Sequence, residues 1–339
     1  MAFDGIVIAN LVHDIRQKLE GGKINKIAQP EKDELMFTVK NNKETLRLSV
    51  SASASLPLVY FTETNKPSPL TAPNFCMLLR KHIGTGRIVK VSQPGLERII
   101  EFEIEHLDEL GDLRRKRLII ELMGKHSNII FCDEKGMILD SIKHVSSHMS
   151  SVREVLPGRE YFIPNTRDKE NPLTVSEEEF TQHICKKPVN ISKALYTSLT
   201  GMSPVMAEEI CYRASIDGSD ASQSLDEAAC THLYHTFLRL IEQIRNREFT
   251  PNIVYRGEEP VEYGVFPYQQ FGSEYRSKIF DSVSVMLETY YATKSLLTRI
   301  HQKSSDLRRV VQTALERNRK KYNIQKKQLN DTSKKDKFK

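Results

Sequence analysis

Leu118-Ile119-Ile120-Glu121-Leu122-Met123-Gly124-Lys125-His126-Ser127-Asn128-Ile129-Ile130-Phe131 is the stretch whose reading decides the fold. An apolar run stops at a glycine, opens into four polar residues, and a second apolar run begins. Two strands therefore meet at a polar turn. Lys125, His126, Ser127 and Asn128 offer a cation, a titratable ring, a hydroxyl and an amide, a mixture suited to phosphate and ribose recognition. A polar turn after glycine is also what any hairpin needs, and the local sequence leaves both readings open.

Outward from this stretch the strand pattern continues. Glu97-Arg98-Ile99-Ile100-Glu101-Phe102-Glu103-Ile104 alternates over most of its length, and Asp133-Glu134-Lys135-Gly136 reads as a hairpin turn. Strands are expected at 87–92, 98–106, 117–123, 127–133 and 136–143. Upstream, apolar residues at helical spacing predict a helix over 3–20, ended by Gly21-Gly22. Asp4 stands where a helix cap is expected. Short strands follow at 23–28, 34–39, 44–50 and 58–61, then a helix over 74–82 after Pro73. This first unit reads as a mixed sheet with a few helices, ending near Pro164-Asn165-Thr166.

From 172 to 247 the pattern turns helical, with Glu177-Glu178-Glu179 in an early turn. Within it, 194–199, Thr200-Gly201-Met202-Ser203-Pro204 and 205–210 read as helix, tight hairpin, helix. Gly201 supplies the turn, Ser203 a cap, and Pro204 suits the first helical position. Such a hairpin can point backbone amides at a phosphate, which makes Gly201 and Ser203 a candidate phosphate-binding turn; generic helical hairpins share the pattern. Strand-like sequence returns over 251–271. Residues 284–329 then read as one long helix, roughly 70 Å at 1.5 Å per residue. Leu297, Ile300, Leu307, Val311 and Ala314 keep the 3–4 spacing of a coiled-coil seam. That seam wants a partner, and the chain is expected to stop inside a coiled-coil hairpin.

Composition bounds the function. The 339 residues are 39% hydrophobic and 28% charged, with no apolar run long enough for a transmembrane helix. The first residues lack the basic and apolar regions of a secretory signal. Net charge is +6, but residues 301–339 hold 13 Lys and Arg against 4 Asp and Glu, so the rest of the chain sums to −3. A basic helical tail fits nucleic acid, and it also fits a solvated helix face. The five cysteines (76, 132, 185, 211 and 230) include no C-x-x-C spacing, so neither a disulfide framework nor a zinc site is expected. His126, His144 and His148 lack metal-ligand spacing, and Cys132 reads as core. No hydrolase, Walker or dinucleotide motif is present, so no cofactor is expected. Glu97-Arg98 sits at a turn-to-strand boundary that can present Arg98 to a phosphate or hold a surface ion pair.

Several motifs together resemble one family. They are Phe3-Asp4-Gly5, Leu19-Glu20-Gly21-Gly22-Lys23-Ile24, the run Pro73-Asn74-Phe75-Cys76-Met77-Leu78-Leu79-Arg80-Lys81-His82, Gly95-Leu96-Glu97-Arg98, the run Glu121 through Asn128, and Gly201-Met202-Ser203-Pro204. In this order they resemble the N-terminal half of the NFACT proteins, the RqcH and NEMF family, whose bacterial members are also called fibronectin-binding protein A. The resemblance implies an α+β chain: an NFACT-N domain over 1–170 related to the Fpg/Nei DNA glycosylases, and a helix-hairpin-helix domain over 171–250. Strands over 251–278 would pack back on NFACT-N, and 279–339 would form the first helix of a coiled coil.

It also implies a cytoplasmic, ribosome-associated quality-control factor. Such factors bind a stalled large ribosomal subunit and its rRNA, and recruit alanyl-tRNA for template-free alanine tailing. Peptidyl transfer belongs to the ribosome, so the chain is not expected to be an enzyme. The family's Asp-Arg pair, needed for tRNA engagement, falls on Glu97-Arg98, with Glu in place of Asp. A second patch falls on Glu121-Leu122-Met123, and Asp4 matches another acidic position. Beside these, Arg98, Lys125, His126 and Asn128 are the expected contacts to tRNA backbone or sugar, with Glu97 orienting Arg98. The glycosylases use an N-terminal proline followed by glutamate; Ala2 and Phe3 stand there instead, so that chemistry should be lost. The family's other name implies a competing role as a fibronectin- or fibrinogen-binding surface adhesin, with a secondary cell-surface presence.

Overall fold

The computed structural model describes residues 3–164 and 169–335. The architecture is α+β, built on a nine-stranded sheet. Its strands are β1 (Lys23–Glu31), β2 (Glu34–Asn41), β3 (Glu44–Ala52), β4 (Pro57–Phe61), β5 (Arg87–Ser92), β6 (Ile99–Leu107), β7 (Leu113–Glu121), β8 (Asn128–Asp133) and β9 (Ile138–Ser141). The spatial order is β4-β3-β2-β1-β5-β6-β7-β8-β9. Each neighbouring pair runs antiparallel, which corrects the expected mixed sheet. The short turns at 32–33, 42–43 and 134–136 leave no room for a parallel crossover, which takes a dozen residues or more.

Two helices, α1 (Gly5–Leu19) and α2 (Asn74–Ile83), lie on the sheet. The Asp4 carboxylate caps α1, Oδ1 accepting from the Ile6 and Val7 amides at 3.0 Å each. Ile8, Leu11, Ile15 and Leu19 turn a fully buried stripe toward the strands. Gly21, at φ +84°, ends the helix in a conformation that favours glycine.

β6 and β7 pair over their full length, Ile99 opposite Glu121 and Leu107 opposite Leu113. Alternation sends Ile100, Phe102, Ile104 and Leu118 to the main core. Ile99, Ile119, Ile130 and Cys132 go to a second core, closed by Ile138 and Val155 from the segment after β8. The sheet is thus covered on both faces where β6, β7 and β8 begin or end near Glu121. That is why the apolar runs there are continuous. Cys132 is core, as its sequence position suggested; burial pushes its thiol up to about 12.

The helical region holds α3 (Glu177–Phe180), a π-helical turn at Thr181–Cys185, α4 (Ile191–Ser198), α5 (Pro204–Arg213) and α6 (Glu227–Asn246). Ser176 and Glu179 form a reciprocal capping box that starts α3. Phe180, Leu195, Phe237 and Ile241 fill the centre. Packing of the π-helical turn on α6 brings Cys185 and Cys230 to a Cα separation of 6.3 Å, and they are joined as a disulfide. The expectation of no such bond is corrected there: the residues lie far apart in sequence, and only helix packing makes them neighbours.

A second sheet has the order β11-β10-β12, from β10 (Asn252–Arg256), β11 (Glu259–Gly264) and β12 (Tyr275–Ile279). The sequence had placed strand character at 265–268, which instead forms the loop after β11. That loop is fastened to α5 by buried Glu209, whose carboxylate accepts from the amides of Gln269 and Gln270. α7 (Val283–Lys335) begins by closing the β4 edge: the Ser284 hydroxyl accepts from the Phe61 amide, and Thr62 donates to Glu288.

Residues up to 288 form one compact unit, and those from 289 form a second. Within the second, Ile300, Leu307, Val311 and Leu315 are exposed along the helix. Asn165 and Thr166, expected at the end of the first region, lie outside the described residues, as does the side chain of Leu297. No described helix is long and apolar enough to cross a membrane.

Candidate nucleic-acid interface

Three motifs far apart in the sequence meet at one point. The start of α1 brings Asp4 and Gly5, the turn before β6 brings Leu96, Glu97 and Arg98, and the α4–α5 hairpin brings Gly201 and Ser203. The Gly5 amide donates to the Gly201 carbonyl at 2.9 Å. A Cβ on Gly5 would lie 1.9 Å from the Leu96 carbonyl oxygen, and one on Gly201 would lie 2.0 Å from the same atom. Gly201 also sits at φ +72°. No side chain fits at either position, so the three segments touch backbone to backbone. Gln93 locks the turn, its Nε2 donating to the carbonyls of Gly5 and Glu97.

The result is a cleft of about 270 Å³. Asp4, Glu97, Arg98, Met123, Lys169, Tyr196, Gly201 and Ser203 are among its walls. Ser203 caps α5 through the Met206 amide at 3.4 Å, and Asp4 caps α1, so two helix N-termini point at the same space. Among the described residues the amides of Gly201, Met202 and Ser203 meet no acceptor within the protein. Such amides suit an anionic oxygen.

Charge in the cleft is only partly balanced. Burial raises the Asp4 carboxyl to about 6, against the Ser203 hydroxyl and the two capping amides that favour its ionised form. Burial also raises Glu97, opposed by the positive charges of Lys169 and Arg98. Lys169 is lowered, first by burial and then by Arg98. Among the described residues neither Arg98 nor Lys169 forms an ion pair within 4 Å; the Lys169 ammonium donates only to the Tyr196 carbonyl, at 3.3 Å. Glu97 therefore does not hold Arg98 in a direct pair, as the sequence had suggested. The two influence each other only at longer range.

The Glu121–Asn128 stretch splits into two parts. Glu121 is fully buried and accepts from the Arg153 guanidinium and from the Tyr161 hydroxyl. Leu122 is 1% exposed, and its amide donates to the Arg98 carbonyl at 2.9 Å. Asn128 is buried, bridging to Lys143 through both ends of its amide. The three side chains expected as RNA contacts are thus turned into the fold, with Glu121 and Asn128 engaged by its own groups. Met123 does reach the cleft, and its amide is held by the Ser127 hydroxyl at 2.8 Å. Lys125 and His126 are exposed on a single 3-10 turn (Gly124–His126) outside the cleft walls. Lys169, Tyr196, Arg153 and Tyr161 were not singled out in the sequence. No motif marks them, and only the fold brings them in. Ala2 lies outside the described residues. No cluster of three metal-ligating side chains occurs among the described residues.

The family model for NFACT N-terminal and middle domains matches residues 4–339. The chain belongs to the NFACT family. The Rqc2 homolog RqcH of Bacillus subtilis (strain 168) is 35% identical to this NFACT chain over 312 residues, 92% of the chain and 52% of the relative. An archaeal Rqc2 homolog, aRqcH of Methanocaldococcus jannaschii, is 26% identical over 85% of the chain and 42% of the relative. The NFACT chain spans about half the length of the curated relatives it matches.

Among solved structures, the fibrinogen binding protein from Staphylococcus aureus matches with a TM-score of 0.72 at 28% identity, over 86% of this chain and 99% of that one. The N-terminal part of the fibronectin/fibrinogen-binding protein from Streptococcus suis gives 0.70 at 29% identity, with the same coverage. An Fpg glycosylase from Lactococcus lactis reaches only 0.38 at 14% identity, too little to carry an argument for this NFACT chain.

Proposed function

We propose that the cleft binds tRNA and that the protein acts in ribosome-associated quality control. In this reading it engages a stalled large ribosomal subunit and its rRNA. It recruits alanyl-tRNA for template-free alanine tailing of the nascent chain, with peptidyl transfer left to the ribosome. One observation carries the tRNA reading: Arg98, Lys169 and the amides of the 201–203 turn face one cleft, and among the described residues those amides have no partner and neither cation has a paired carboxylate. Arg98 and Lys169 supply charge to a phosphodiester, and the amides supply directed donors. Glu97 supplies an acceptor for base or ribose hydrogens, while Asp4, engaged by its capping amides and the Ser203 hydroxyl, fixes the start of α1 in the cleft wall. Lys125 and His126 extend the surface, while Glu121, Leu122 and Asn128 hold its frame. The relatives' names, Rqc2 homolog RqcH and ribosome quality control complex subunit NEMF, support the cellular role.

We read residues 1–170, 171–250 and 251–278 as NFACT-N, helix-hairpin-helix and returning strands. Residues 279–339 are read as one helix of a coiled coil. The setting is the cytoplasm, with no membrane insertion. The deciding experiment is tRNA binding and alanine tailing by the Glu97→Ala/Arg98→Ala double variant. Loss of both is expected; retention of both sinks the assignment.

A second reading rests on the two bacterial structural neighbours, which are named for binding fibronectin or fibrinogen. A secondary presence at the cell surface would expose the protein to those ligands. Treating intact cells with protease separates the readings: full protection rejects adhesion.

A further inference from the structure

A second constellation lies toward the far end of β6. Arg98 immediately precedes the strand, and His106 sits near its other end, about 27 Å away at ~3.4 Å per residue. There the end of α2, the β6–β7 turn and the β8–β9 turn enclose a cleft of about 600 Å³. His106, in its wall, is 8% exposed. Its Nδ1 lies 3.2 Å from the Leu107 carbonyl, which can only accept, so the ring proton belongs on Nδ1. Nε2 is then buried with no partner among the described residues. A buried polar atom left this way is costly, so a group that satisfies it is favoured there. His82, in the last turn of α2, stands edge-on to His106 with ring centroids 6.4 Å apart.

The charged side chains around these rings divide unequally. Asp108 accepts from the Leu110 and Asp112 amides and from Arg114, and Glu109 pairs with Lys81 at 3.2 Å. Asp133 is taken up by the amides of its own turn, Lys135 and Met137. Glu134 forms no ion pair among the described residues. Lys116 and Lys135 form none either, and both border the cleft with the two imidazoles. Burial lowers the His82 pKa, and the charges of Lys116, Lys81 and His106 lower it further, against Glu109. The uncommitted groups are thus two ammoniums, two imidazoles and one carboxylate, a set with more positive than negative charge that can take an anion.

We propose that this cleft is a second phosphate site, taking a phosphodiester group of RNA between Lys116, Lys135 and the two histidine rings. Lys116 and Lys135 supply charge. One ordered water can donate to His106 Nε2 and to a phosphate oxygen together, which matches the acceptor that the fold leaves open. The inference extends RNA contact from the Arg98 cleft to the opposite end of the same strand, as two grips on one partner.

The test uses the whole chain with 15N-labelled histidine and two probes, a short poly(U) RNA and inorganic phosphate. Long-range proton–nitrogen spectra follow the His82 and His106 ring nitrogens. The expected result is that poly(U) moves both rings. Lys116→Ala/Lys135→Ala, two rim changes that leave the core intact, should weaken RNA binding about ten-fold and lower the salt slope by roughly one to two. The ring shifts should persist in Arg98→Ala, which separates this site from the first cleft. Stationary rings with poly(U), or unchanged affinity in the lysine variant, overturn the proposal. Rings that respond to inorganic phosphate and not to RNA overturn it as well.

Discussion

Glu97 and Glu121 lie at the same end of neighbouring strands and have opposite fates. Glu121 is sealed between two cores, and its carboxylate is saturated by Arg153 and Tyr161. Burial, then the Glu121 charge, pushes the Tyr161 hydroxyl pKa far above its ordinary range, so it stays a donor at any working pH. Glu97 sits half-buried in a cleft, raised by burial and balanced only at a distance by Lys169 and Arg98. The difference separates support from contact. A carboxylate whose acceptors are filled by its own fold holds the frame, and one whose acceptors remain open is available to a ligand.

The strongest way to break that contrast is Glu121→Gln. It leaves the Arg153 charge buried against a neutral amide, and we expect a loss of about 3–5 kcal/mol by urea denaturation. A loss below about 1 kcal/mol would mean the pair is not structural. Asp4 should give the next effect, about 3 kcal/mol, and it is linked to pH. Its folded pKa is raised from 3.8 to about 6, so folding favours the protonated carboxyl. That contribution is complete below the unfolded pKa and is lost as pH rises from 4 through 6. Asp4→Asn keeps a good helix cap and should flatten this part of the stability profile. Gly201→Ala should cost about 2–3 kcal/mol, because its Cβ meets the Leu96 carbonyl and its backbone is left-handed. Glu97→Gln should be the mildest, within about 0.5 kcal/mol in stability, while weakening tRNA binding measured by filter retention.

Much of this was legible in the sequence for a physical reason. The period-2 pattern marked the strands around Glu97 and Glu121, and Gly201-Met202-Ser203-Pro204 announced its hairpin with a turn glycine, a cap and a first-turn proline. Asp4 was readable as a cap because capping is local. What failed was non-local. The direction of all strand pairings depends on which strands meet. The burial of Glu121, Leu122 and Asn128 depends on the segment carrying Ile138, Val155 and Tyr161, which covers the second face of the sheet. Lys169 reaches the cleft by tertiary packing alone. The residue pattern did not mark β12, four of whose five residues are exposed and leave no apolar alternation to read; only the resemblance carried strands that far.

The central claim is that Arg98 and Lys169 grip tRNA phosphate. Its most direct test is tRNA affinity against salt concentration for the wild-type chain and for Arg98→Ala/Lys169→Ala, with equal folding checked by circular dichroism. The account predicts affinity lower by about ten- to a hundred-fold and a salt slope shallower by roughly one to two. An unchanged slope and affinity in a fully folded variant would contradict it.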